Sequence, residues 1–186
     1  MGLLIAGVLL WSLVHFYPMV AANHRTKVIK SLEEGPYKGI FSLLIVISIA
    51  LMVFGWRGSD FVSLYEVPDW GRHLTMLLML VAFILFGASA YPSSIKRVIR
   101  HPMLTSVVVW AVAHLLSNGD QSSIILFGGL GVWAMISIFL INKRDGEWEK
   151  PEAGSTVRQL RGLVISIVIF ALVMYLHQFF TGVPLL

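Results

Sequence analysis

The chain has 186 residues, 57% of them hydrophobic and 13% charged, with a mean hydropathy of +0.81. Soluble domains are about a quarter charged, so this composition reads as integral membrane. The net charge of +4 is spread over connections between apolar runs, a pattern that orients membrane spans and excludes a nucleic-acid partner; the absence of cysteine excludes disulfides, thiolate metal ligands and cysteine nucleophiles.

Gly2–Ala22 is the first run, uncharged apart from His15 and long enough to cross a bilayer. Val20-Ala21-Ala22 resembles a signal-peptide cleavage site, but Met1–Leu10 has no basic n-region, so the segment reads as a retained helix. The polar connection Asn23–Lys38 follows, with an interfacial turn expected at Lys27–Leu32 and an end at Gly35-Pro36. Gly39–Trp56 is the second run, Arg57–Asp69 an acidic connection, and Trp70–Ala90 the third run. Basic Tyr91–Arg100 leads into the fourth run, His101–Asp120, which closes on Ser117-Asn118-Gly119-Asp120. Ser122–Ile141 is the fifth run, basic Asn142–Arg161 the longest connection, and Leu163–Phe180 the sixth run.

The expected fold is therefore all-α, an integral membrane bundle of six transmembrane helices in one domain over 1–186. Runs of about 20 residues without period-2 alternation favour helices over barrel strands. The five connections hold four, one, three, no and five Lys or Arg. That alternation puts the basic connections in the cytoplasm and both termini outside. Gly128-Gly129-Leu130-Gly131 lies inside a span with no strand before it, so it reads as a helix-packing surface and not as a nucleotide loop.

An ionisable residue within an apolar span marks a functional site by default; its plain alternative is a histidine bonded to a neighbouring helix. Of six histidines, His24 reads as solvated, and His177 as hydrogen-bonded near the outer end of the last span. His101 precedes Pro102 and reads as a helix cap. His15, His73 and His114 remain. Neutral imidazoles ligate iron, and a buried pair in a helical bundle is a usual way to hold haem. His101 and His114, thirteen residues apart, are separated by ~20 Å of helix and cannot share a metal. Trp11-Ser12-Leu13-Val14-His15 and Trp110-Ala111-Val112-Ala113-His114 both read W-x-x-x-H, which puts an indole beside each imidazole.

Measured from the span midpoints, His15 lies ~4 Å toward the cytoplasm and His114 ~5 Å toward the outside. That offset is also what an inverted repeat of three plus three spans gives. His73 and His101 are the reserve ligands, and Arg72 is a candidate partner for a haem propionate. No span holds paired carboxylates and no H-E-x-x-H occurs. Ser117, Ser122 and Ser123 read as helix caps.

Taken in order, Leu13-Val14-His15, Arg100, His101-Pro102-Met103, Trp110, Ala113-His114-Leu115-Leu116, Asn118-Gly119-Asp120 and Leu126-Phe127-Gly128-Gly129 resemble the NnrU family of bacterial membrane proteins, over nearly the whole chain. The resemblance implies an association with nitrite and nitric-oxide metabolism in denitrification. It also implies a relationship to the plant zeta-carotene isomerase, which holds haem b through histidines and uses the reduced iron in cis–trans isomerisation. By that likeness His15 and His114 stand where the two haem-ligating histidines stand, and His101 where the His-Pro histidine stands; helical spacing and charge, read from this sequence, add Trp11, Trp110, Arg72 and Asn118 around the cofactor. Without cysteine, no thiolate exchanges onto the iron.

The expected function is haem b binding, with redox-dependent or isomerase-like activity toward a small or lipidic ligand. Two other readings stay open. One is a small-solute transporter, against which no span is broken at mid-membrane by Gly or Pro. The other is an accessory or assembly protein that meets a nitric-oxide-handling enzyme through the 142–161 connection.

Overall fold

The computed structural model describes residues 1–185, except for the side chain of Phe180. It is all-helical among these residues. The elements are α1 (Gly2–Val20), α2 (Ala22–Leu32), α3 (Glu34–Arg57), α4 (Gly71–Ser89), α5 (Pro102–Leu115), α6 (Gln121–Asp145) and α7 (Thr156–Thr181). A short 3-10 turn, Ser94–Arg97, lies between α4 and α5.

Five of these helices are long and apolar enough to cross a membrane: α1, α3, α4, α6 and α7. The fourth expected span is shorter. α5 has 14 residues, ~21 Å of rise against a hydrocarbon core of ~30 Å. Non-helical backbone at membrane depth is tolerated only where protein buries it, and here its carbonyls are all satisfied. Leu116 N donates to Val112 O at 3.1 Å, Thr75 Oγ1 to Ala113 O at 2.7 Å, Asn118 Nδ2 to His114 O at 2.8 Å, and the Tyr65 hydroxyl lies on Leu115 O. The 58–70 connection then clamps the turn: Leu64 N and Tyr65 N donate to Gly119 O, and Gln121 N to Val62 O. A side chain at Gly119 would strike Tyr65 O, which is why that position takes glycine. Asp120, not a serine, caps α6, accepting from Ser123 N at 3.0 Å.

At the other end, the expected interfacial turn is a full helix, α2, with no buried residue. Its polar sequence suits it to a water–headgroup boundary. Gly35-Pro36 does not end the connection. α3 begins at Glu34, with Pro36 in a first turn where its missing N–H leaves no bond unmade. Glu33, at φ +66°, makes the bend between α2 and α3.

The spanning helices form an open arc in the spatial order α3, α1, α6, α5, α4, α7, each packed on its neighbours. Small residues permit the close approaches that take the place of the hydrophobic effect within a bilayer. A Cβ at Gly7 would lie 2.7 Å from Met52 N, one at Gly129 2.6 Å from Val8 Cγ1, and one at Gly131 2.9 Å from Ala111 Cβ. The pairwise contacts do not repeat as an inverted repeat requires: α4 packs along α5, while α7 has no comparable contact with α1. α6 is continuous but contains a π-turn at Ile124–Gly128, a widening associated with functional positions.

Charge divides the bundle. Twelve of the fourteen Lys and Arg lie on α2, the start of α3, the 91–100 and 146–155 connections, or the helix ends beside them. Those two connections meet, since Gly154 N donates to Pro92 O at 3.0 Å and Arg100 Nη1 to Gly146 O at 2.8 Å. Only Arg57 and Arg72 lie at the opposite end.

Candidate functional site

The concave side of the arc holds a cavity of about 1150 Å³, walled by α3, α4, α5, the π-turn of α6, and α7. Each helix contributes one stripe at helical spacing: Met52 and Trp56 from α3, Met76, Met79 and Phe83 from α4, Trp110 and His114 from α5, and Phe170, Met174 and His177 from α7. The polar groups gather toward the end away from the basic connections. Arg57, Arg72, Thr75, Ser117 and Asn118 line the wall there, as does the C-terminal tail through Val183 and Leu185.

His114 is held in one tautomer. Its Nδ1 lies 2.9 Å from Trp110 O; a carbonyl only accepts, so Nδ1 carries the proton and Nε2 keeps a free lone pair. The ring stacks on Phe127, with centroids 4.3 Å apart at 22°, and Trp110 packs edge-on against the same phenyl at 4.9 Å. A ligating histidine is generally oriented in this way, by a carbonyl on its far nitrogen. Asn118 fixes the helix end behind it through the His114 carbonyl.

His15 has the same local geometry in another place. Its Nδ1 donates to Trp11 O at 2.8 Å, and its ring lies against Trp11, Trp133 and Phe41 at 4.3, 5.0 and 5.7 Å. It is not on the cavity wall. Phe127 and Trp133, which the two imidazoles touch, are six residues apart on α6, ~9 Å of rise. The depth offset read from the span midpoints is therefore kept, and helix tilt does not remove it. The expected meeting of His15 and His114 in one site is not found. Trp11 stands with His15, where its indole N–H and that of Trp133 are buried without an acceptor.

The reserve ligands lie elsewhere. His101 Nε2 donates to Asn142 Oδ1 at 2.9 Å at the basic end, and its carbonyl accepts from Thr105 N, so it serves as the residue before Pro102 at the start of α5. His73 is exposed and outside the cavity. His24 pairs with the Tyr17 hydroxyl at 2.9 Å. Arg72 is on the wall, its Nη2 donating to Leu185 O at 2.9 Å.

Residue-by-residue reading missed three parts of the wall: Arg57, the methionines of α4, and His177. The signal for His177 was available in the α7 stripe Phe170, Met174, His177, Thr181, one turn apart each, of which three positions besides Met174 carry an aromatic ring or a hydroxyl. Among the described residues no three of His, Asp and Glu gather as a metal cage. The wall carries two imidazoles, those of His114 and His177.

A family description, "NnrU protein", matches residues 3–185. No curated protein and no solved structure matches the chain.

Proposed function

The chain belongs to the NnrU family, and we propose that within it this protein holds haem b in the cavity between α3 and α7, in the cytoplasmic membrane of a bacterium. The arginine and lysine asymmetry supports an orientation with the basic end in the cytoplasm and both termini outside. In that orientation the cavity occupies the outer half of the bilayer.

One observation carries the reading. An apolar chamber large enough for a macrocycle is walled by an imidazole with a free Nε2, and both of the arginines at that end of the molecule stand on its wall. Pockets for drug-sized molecules run ~300–1,000 Å³, so the volume suffices. His114 would hold the iron through its free Nε2. Trp110 and Phe127 hold its ring in place, and the bond to Trp110 O raises its basicity as a ligand. Arg57 and Arg72 receive the two propionates by charge-assisted hydrogen bonds. Met52, Met79 and Phe83 keep water from the face of the ring. Haem b supplies a one-electron iron centre there, its potential governed by axial ligation and burial.

The role we assign is redox-linked, within the nitrite and nitric-oxide metabolism that the resemblance implies. A second reading, isomerase-like chemistry on a lipidic ligand, is favoured by the open side of the arc, where α3 and α7 do not pack on each other and the chamber faces hydrocarbon.

The test is an absorption spectrum of the purified protein, oxidised and reduced, after haem-replete expression. Wild type is expected to show a haem b spectrum that His114→Ala loses and His15→Ala keeps. A colourless wild type overturns the proposal.

A further inference from the structure

His177 was expected only to hydrogen-bond at the outer end of the last span, and it does so in a specific way. Its Nδ1 lies 3.0 Å from Val183 O and 3.0 Å from Thr181 Oγ1, so Nδ1–H is donated to the carbonyl of the folded-back tail. Nε2 has no partner among the described residues. His177 thus presents the same half-engaged imidazole as His114, on the wall of the same cavity.

The two rings also share a depth. α4 runs antiparallel to α5 and α7 and packs on both, so it serves as a ruler. On the α7 side, Gly87 abuts Ser166 and Phe83 meets Phe170 at 5.7 Å. Stepping seven residues outward from each puts His177 level with Met76. On the α5 side, the Thr75 hydroxyl bonds to Ala113 O and to Ser117 Oγ, which puts His114 level with Thr75. Thr75 and Met76 are adjacent, ~1.5 Å in rise. No other pair among the six histidines is matched in this way across one cavity.

We infer that His177 is the second axial imidazole, facing His114 across the flank of α4, with the tail from Gly182 to Leu185 acting as the strap that fixes its tautomer. The inference rests on the haem reading above. The iron then has two imidazole nitrogens, one from the shortest membrane helix and one from the last. The strap is itself tied down by Arg72 Nη2 on Leu185 O, so the propionate partner and the ligand-orienting segment are joined.

The experiment is electron paramagnetic resonance and absorption spectroscopy of the intact protein, with wild type expected to be six-coordinate and low-spin. His177→Ala is expected to retain haem through His114 but become five-coordinate and high-spin, and added imidazole is expected to restore the low-spin signal. His177→Met keeps a sixth ligand and so covers the case in which the alanine variant does not fold. It is expected to remain low-spin with a higher midpoint potential, as His/Met ligation gives. A low-spin spectrum in His177→Ala identical to that of wild type, or a potential unchanged in His177→Met, overturns this pairing while leaving the haem reading intact. A colourless wild type overturns both.

Discussion

The approach of α1 to α3 permits a substitution test with an internal control. Gly55 sits where α3 crosses the start of α1. An added Cβ would meet Leu4 N, and would lie 2.6 Å from Leu4 Cα and 2.8 Å from Leu3 C. Ordinary contact begins at 3.4 Å, so the shortfall is about 0.8 Å against backbone, which has no rotamer by which to give way. Gly55→Ala must push α1 off α3, and Leu4, wholly buried, is the side chain that loses its contacts. Overpacking of this kind costs ~1–3 kcal/mol. Alanine's higher helix propensity returns ~1 kcal/mol, leaving a net loss of ~0–2 kcal/mol against wild type, and the full ~1–3 kcal/mol against a glycine-to-alanine change that meets nothing. Gly39→Ala is the control. It is in the same helix with nothing within 4 Å of the added atom, so only the propensity gain of ~0.5–1 kcal/mol remains. Unfolding in mixed detergent–lipid micelles, followed by circular dichroism, reads both. If Gly55→Ala is no less stable than Gly39→Ala, the helix approach described above is wrong.

Asp120→Ala removes the cap of α6 and is expected to lose ~1 kcal/mol, with Asp120→Asn largely retaining it; chemical unfolding separates them. Burial, with the Asp120 carboxylate nearby, pushes the Tyr65 hydroxyl above the ordinary phenol range. The protonated phenol is therefore favoured in the folded state. Its contribution is complete below the ordinary value of ~10 and is lost as pH rises through the raised one, so the outer clamp should loosen in alkali in wild type but not in Tyr65→Phe, read as a pH profile of amide exchange at Leu64, Tyr65 and Gln121. His101→Ala leaves Asn142 Oδ1 without its donor at the basic end and is expected to lose ~1–3 kcal/mol. The absorption spectrum of the haem proposed above should not change, because His101 is not on the cavity wall.

The helical bundle, with its basic connections at one end, was legible because two signals with independent physics agree in it. Run length is set by bilayer thickness and the placement of Arg and Lys by insertion, and neither depends on how the helices meet. α5 was misjudged for a related reason. Run length counts the whole stretch as one span, whereas the helix ends where Asn118, Thr75 and Tyr65 take over its carbonyls, and the last two of those bonds come from residues 38 and 50 positions away in the chain. α2 was legible only as a turn, because an amphipathic helix on a membrane surface has no apolar run to announce it. For the site, the W-x-x-x-H spacing identified two imidazoles with a common local geometry. Which imidazoles share a cavity is decided by the order of helices around the arc, and no local pattern encodes that order. His177 carries no tryptophan four residues before it, so the motif that drew attention to His15 turned it away from the second imidazole on the cavity wall.

The wide turn at Ile124–Gly128 has a bearing on which insertions and deletions this chain can accept. A π-turn holds one residue more than the α-helical path it replaces, so losing a single residue there would regularise the backbone of α6. Each residue also sets an angular phase of 100°, and Phe127 lies within that adjustment and Trp133 beyond it, one against each of the two W-x-x-x-H histidines. A deletion that made a better isolated helix would turn one of those aromatic faces away from its imidazole. The irregularity therefore works as a phase shifter, and single-residue deletions within 124–128 should preserve helix content in circular dichroism while abolishing whatever the cavity binds.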